Sequence, residues 1–188
     1  SLRKNTLRNM TLCAMFAVLI AAGAFMRIPM PLVPITLQYL FTMLAGLLLG
    51  GKWGAAAVCV YMALGLAGLP VFTQGGGIGY VLQPSFGYII GFAVGTYVTG
   101  TLAWRKEKPG FGYLFAASLL GLGIIYLFGL IYYSLVSHVV LKTSIGLWLL
   151  FVHGCLLTLP GDITLSVLGA ILGRRLIPQL RQKERQAA

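Results

Sequence analysis

The sequence predicts an all-α integral membrane protein of six transmembrane helices, and three observations predict it. Hydrophobic residues fill 59% of the 188 positions while only 9% are charged. A soluble domain carries roughly 25% charged residues, so this chain lacks the polar surface to cover itself in water. Apolar runs near the length of a bilayer-crossing helix, about 20 residues, follow one another along the whole chain. The basic residues, which give a net charge of +11, fall in short clusters between those runs. They do not form the exposed basic face with stacking aromatics that a nucleic-acid partner requires, so nucleic acid is set aside and the charge is read as a topology signal.

The spans can be placed in order within one domain, residues 1–188. The first covers 10–26, after a basic start with Arg3, Lys4 and Arg8. A basic start, an apolar run and Ala22-Gly23-Ala24 also fit a signal peptide, but the run exceeds the usual apolar core of one and further spans follow. A loop with Pro29, Pro31 and Pro34 leads to a short second span, 35–50, and Gly51-Lys52 turns the chain back into the third, 53–69, which Pro70 stops. An uncharged loop rich in glycine (Gly75, Gly76, Gly77 and Gly79) precedes the fourth, 85–104. The fifth covers 111–137, and the sixth 145–177, interrupted at Pro160-Gly161-Asp162.

Six spans place Arg3, Lys4, Arg8, Lys52, Arg105, Lys106, Lys108, Arg174, Arg175, Arg181, Lys183 and Arg185 on one side. Only Arg27 and Lys142 remain for the other. The positive-inside rule then puts the N- and C-termini in the cytoplasm and turns the proline-rich and glycine-rich loops outward.

Glu107 and Glu184 lie in basic cytoplasmic segments and balance charge there, but Asp162 lies within the last span. An acid at such depth costs about 2.5–3.5 kcal/mol on insertion scales and marks a site by default; alternatively it caps the Pro160-Gly161 break by accepting backbone N–H bonds. At about 100° per residue, Thr158, Cys155, Phe151 and Trp148 share its face, a stripe suited to a small, partly polar ligand, while His153 points away. Glycines in the outer loop let backbone groups approach a ligand closely, or simply make the loop flexible. Gly87, Gly91 and Gly95 form an i, i+4 row that reads as close helix packing, or as room beside Tyr88 for a flat ring. Ala14, Ala17 and Ala21 make a small-residue face on the first helix, for packing inside the bundle or for docking another membrane subunit. The three cysteines, in no metal or CxxC spacing, read as buried apolar residues, and no metal site is expected.

Two apparent motifs fail on inspection. Gly46 to Trp53 approaches a phosphate-binding loop but lacks the Ser or Thr after Lys52 and follows a membrane segment rather than a soluble strand. Pro84-Ser85-Phe86-Gly87 is faintly like an intramembrane serine protease, yet Gln83 stands where a GxSxG turn needs glycine. A channel would need a polar row through several helices, which the spans do not provide. No enzymatic activity is expected.

Several segments resemble the BioY family, the biotin-specific substrate-binding (S) components of energy-coupling-factor (ECF) transporters. They are Ile35-Thr36-Leu37-Gln38, Gly68-Leu69-Pro70-Val71-Phe72, Gln83-Pro84-Ser85-Phe86-Gly87-Tyr88-Ile89-Ile90-Gly91-Phe92 and Pro160-Gly161-Asp162. The likeness covers nearly the whole chain in the same order. It departs at Leu165, where many members carry lysine.

The resemblance implies an S-component fold in a bacterial plasma membrane and biotin as the ligand, with no cofactor. It also implies an ECF transmembrane coupling subunit and two ATPase subunits as partners, with Ala14, Ala17 and Ala21 at the docking face. Biotin is then expected to bind ring-first, with Asp162 accepting from a ureido N–H. Gly75 to Gly79 with Gln83 or Gln38 would meet its other polar atoms, and Tyr88, Trp148 and Phe72 would wall the site. The loop from Arg27 to Ile35 is the expected lid. Another vitamin, such as thiamin or riboflavin, is the alternative within the same class.

Overall fold

The computed structural model describes residues 2–29 and 32–187, and these are predominantly helical. Helix α1 (Leu2–Phe25) leads into a hairpin of two short antiparallel strands, β1 (Arg27–Ile28) and β2 (Ile35–Thr36), which pair Arg27 with Thr36 and Ile28 with Ile35. Then follow α2 (Gln38–Leu49), α3 (Gly51–Leu66), a 3₁₀ turn (Ile78–Leu82), α4 (Phe86–Ala103) and α5 (Phe111–Val139). The chain closes with α6 (Leu147–Phe151), a π turn (Val152–Leu156) and α7 (Leu159–Ala187). Of the three prolines expected to stiffen the first outer loop, Pro31 lies outside the described residues.

Among the described residues, four helical stretches are long and apolar enough to cross a membrane: Arg3–Phe25, Phe86–Ala103, Phe111–Val139 and Leu147–Ala187. Helices α2 and α3 are apolar but shorter. At about 1.5 Å per residue, α2 covers only about 18 Å of a hydrocarbon core roughly 30 Å thick. Strand β2 takes up the first two residues of the segment expected as the second span, 35–50.

Glycine sets the helix spacing. The hinge between α2 and α3 is Gly50, at φ +84°, a left-handed conformation that costs a residue without a Cβ nothing. The segment resembling a phosphate loop is therefore a helical hairpin packed on α4. A Cβ at Gly54 would meet Gly46 Cα at 2.7 Å, and one at Gly100 would meet Gly46 O at 2.6 Å. The α4 row performs the packing role: Cβ atoms at Gly91 and Gly95 would meet Ile125 Cα at 2.8 Å and Gly121 O at 2.7 Å, both on α5. Close approach of this kind replaces the hydrophobic drive that helices lose in lipid.

One end of the molecule gathers the basic clusters. Arg8 at the start of α1 pairs with Glu184 near the end of α7 at 2.9 Å, and Arg185 pairs with Glu107 in the α4–α5 connection. Arg181 donates to the Trp104 carbonyl and lies over its ring. Both glutamates thus join separate segments rather than only balancing charge nearby.

Three expectations need correction. The last span does not break at Pro160. That residue lies in the first turn of α7, where a missing N–H leaves no helical bond unmade, and the irregular backbone is the π turn upstream. Ala17 is only 4% exposed and packs in the core, and Ala21 is half-buried, so Ala14 alone of the three faces outward. Cys59 is exposed, unlike buried Cys13 and Cys155.

Gly100→Ala should therefore cost about 1–3 kcal/mol by overpacking, seen as a lower melting temperature in detergent. Gly123→Ala, where a Cβ meets nothing within 4 Å, should melt as the parent does.

Candidate ligand site

The cavity opens between the β1–β2 hairpin, the starts of α2 and α4 and the middle of α5, and reaches down to the first turn of α7. Val33, Pro34, Ile35 and Thr36 form its cover, while Ile89, Phe92, Leu122 and Ile125 supply apolar walls. Polar atoms enter from Gln38, Tyr39, Thr73, Tyr80, Ser85, Tyr88, Tyr126, Thr158 and Asp162. Counted with its open mouth, the space is about 690 Å³.

Asp162 is placed there by the break before α7. It sits in the first helical turn, where the helix dipole favours a negative charge. The carboxylate is not a backbone cap: Tyr126 donates its hydroxyl proton to Oδ2. Thr158 lies close by, its hydroxyl 3.2 Å from the Tyr126 oxygen and 3.0 Å from the Cys155 carbonyl. Beneath, Ser166 donates to the Asp162 carbonyl at 2.8 Å, and the Tyr39 hydroxyl is shared between Ser166 Oγ at 2.7 Å and the Ser118 carbonyl at 3.1 Å. α2, α5 and α7 thus meet through hydrogen bonds directly behind the acid.

Tyr88 stands in the first turn of α4 with its ring over Gly129 of α5, and donates to the Gly154 carbonyl at 2.8 Å. The π turn leaves that carbonyl free to accept. Gln38 opens α2; its side-chain amide donates to Tyr61 Oη at 2.8 Å and to the Ile20 carbonyl at 3.3 Å.

Of the residues expected at the site, the structure brings Asp162, Tyr88 and Gln38 together. The others lie elsewhere. Trp148 is 72% exposed and packs at a tilt against Phe151 on the outside of α6. The wheel that put it beside Asp162 assumes an unbroken α-helix, and the π turn between them resets the register. Phe72 is 1% exposed and sits behind the wall, packed among Tyr61, Tyr80 and Phe86. Gln83, Gly75, Gly76, Gly77 and Gly79 do not line the cavity.

The glycines shape the loop instead. Phe72 and Gly75 exchange backbone bonds in a tight turn, and Gly77 N–H donates to the Gly65 carbonyl at 2.7 Å. Gly75 and Gly77 have φ of +126° and +95°, values that favour glycine. The result holds Thr73 and Tyr80, neither expected, at the cavity, their hydroxyls 3.2 Å apart.

Tyr126 is the main residue the sequence reading missed. A signal existed: Ser118, Gly121, Leu122, Ile125, Gly129 and Tyr133 mark the buried face of α5 at helical spacing, and Tyr126 lies on it. Leu165 is half-buried against the core and brings no cation.

The BioY family model matches residues 2–182. The chain is 43% identical to the probable biotin transporter BioY of Lysinibacillus sphaericus, over 96% of this chain and 92% of that one. It is 39% identical to the biotin transporter BioY of Thermotoga maritima, over 74% and 83% respectively. The fold superposes on the crystal structure of the S-component for biotin from an ECF-type ABC transporter with a TM-score of 0.79 and 29% identity, covering 92% of each chain. Apolar composition, glycine-spaced helices and an acid-bearing cavity accord with these matches, and the chain belongs to the BioY family.

Proposed function

We propose that this chain is the biotin-capturing component of a vitamin uptake transporter in a bacterial plasma membrane. It binds biotin from outside and delivers it inward with an ECF transmembrane coupling subunit and two ATPase subunits. The observation that carries this reading is the Asp162 carboxylate, held by Tyr126 in a cavity walled by Ile89, Phe92, Leu122 and Ile125.

Biotin matches that arrangement chemically. Its fused rings are apolar and compact, and its ureido group offers N–H donors. Asp162 accepts from one of them, a charge-assisted bond worth roughly 1.5–3 kcal/mol. With the ring system deep, the valerate carboxylate points to the mouth, where Thr36, Thr73, Tyr80 and Ser85 place hydroxyls and where exposed Arg27 adds positive charge. The β1–β2 hairpin is the lid.

Six spans with cytoplasmic termini fit the gathering of Arg8, Glu107, Glu184 and Arg185 at one end of the bundle, opposite the cavity mouth. Partner docking uses the exterior of α1 around Ala14, since Ala17 is turned inward. Energy comes from the ATPase subunits, because the sequence lacks a working phosphate-binding loop.

Calorimetric titration of the detergent-purified protein with biotin, thiamin and riboflavin tests the ligand. Saturable heat should come from biotin alone. Asp162→Asn should weaken binding at least tenfold, and parental affinity in that variant would remove Asp162 from the site. Tyr126→Phe, which keeps the ring and removes the hydroxyl, should weaken it about threefold to thirtyfold, corresponding to roughly 0.7–2 kcal/mol for one lost hydrogen bond. Trp148→Ala should stay within twofold of the parent, and a larger loss would return Trp148 to the site.

A further inference from the structure

Gln38 is one of the most constrained polar side chains at the cavity, and the constraint has a direction. Its amide group touches two neighbours, the Ile20 carbonyl at 3.3 Å and Tyr61 Oη at 2.8 Å. A carbonyl only accepts. The Tyr61 hydroxyl has one proton, which it donates to the Val71 carbonyl at 3.0 Å, so towards Gln38 it too acts as an acceptor. Both neighbours therefore require an N–H, and only the NH₂ end of a carboxamide satisfies both. The orientation of the amide follows from this donor count rather than from the similar shapes of its oxygen and nitrogen.

The carboxamide oxygen is left over. It accepts no hydrogen bond among the described residues, and Gln38 lines the cavity. Tyr61 is fully buried and does not line the cavity; its hydroxyl acts on it through this amide and through Val71, while its ring packs on Phe72, a contact that Tyr61→Phe keeps.

We propose that Gln38 is a specificity-determining residue that presents only a hydrogen-bond acceptor to the ligand, and that Tyr61 is the positioning residue that fixes it so. This deepens the proposed biotin reading and rests on it. Two acceptors then face the ligand from different helices, Asp162 from α7 and Gln38 from α2. The site selects a compact ring bearing N–H donors, as a cyclic urea does. A ring presenting an acceptor at the Gln38 position would meet an oxygen that cannot turn away, because turning would leave two buried acceptors facing each other across the amide.

Four proteins carry the test: the parent, Tyr61→Phe, Gln38→Met and the double variant, each checked for a cooperative melt and titrated with biotin. Tyr61→Phe should weaken binding at least fivefold in the parent and less than twofold in the Gln38→Met background, while Gln38→Met alone should weaken it about tenfold. An equal Tyr61→Phe loss in both backgrounds would show that Tyr61 acts independently of the amide and would overturn the proposal, as would parental affinity in Gln38→Met. A folded parent that binds no biotin would instead defeat the proposed function, and this inference with it. A second measurement needs no Tyr61 variant. In ¹⁵N-glutamine-labelled protein, the Gln38 NH₂ signal, assigned by its loss in Gln38→Met, should resist hydrogen exchange before biotin is added. Protection gained only with biotin would overturn the proposal.

Discussion

A carboxylate inside a bundle of apolar helices constrains much of the surrounding structure. Lipid offers it no hydration, so the protein must supply donors, and the Tyr126 hydroxyl is one. That requirement brings α5 against α7 at mid-span. It also explains why the helix start lies where it does: a first turn is the part of a helix whose dipole favours an anion. The π turn before it is irregular backbone at membrane depth, tolerated where it lines a cavity. Tyr88 closes one of its carbonyls.

The glycine-rich loop follows a different logic. Its many glycines suggest a strand of backbone draped over a ligand, but they act as joints in a compact seat. Phe72 fills the notch left by Gly65, and its ring joins Tyr61, Tyr80 and Phe86 in an aromatic cluster. The cluster fixes Tyr80 from behind while its hydroxyl reaches the cavity side. Tyr132 donates to the Val81 carbonyl from α5 and pins the far end of the loop. Flexibility at single residues thus produces a rigid whole.

The helices and the charged end were legible in the sequence because each depends on local composition. Apolar runs identify the helical segments, and Gly87, Gly91 and Gly95 announce the α5 contact that they make. Asp162 stood out because an acid in a lipid-facing context has no ordinary explanation. Trp148 was misplaced because a helical wheel carries an error of register through any change of pitch, and nothing in Val152 to Leu156 advertises a π turn. The alanine row left two readings open because small residues pack equally well against a neighbour in the same chain or in another. Tyr126 and Thr73 stayed hidden since their roles depend on which segments fold next to one another. Phe72 shows the reverse: a residue in a distinctive motif whose place is structural.

Helix α7 runs without interruption from the cavity to the basic end. Asp162 and Arg181 are 19 residues apart, about 28 Å at 1.5 Å per residue, with Pro178 between them as the one residue that cannot complete the backbone ladder. Arg8 and Glu107 hold the far end through Glu184 and Arg185, at exposed contacts that are individually weak. A rod gripped firmly at one end and loosely at the other is a lever. A tilt of about 10° pivoting at the acid would sweep Arg181 through about 5 Å on that length, enough to exchange one set of charged neighbours for another. A change at the cavity end of the rod would then displace charge at its basic end, without any segment unfolding between them.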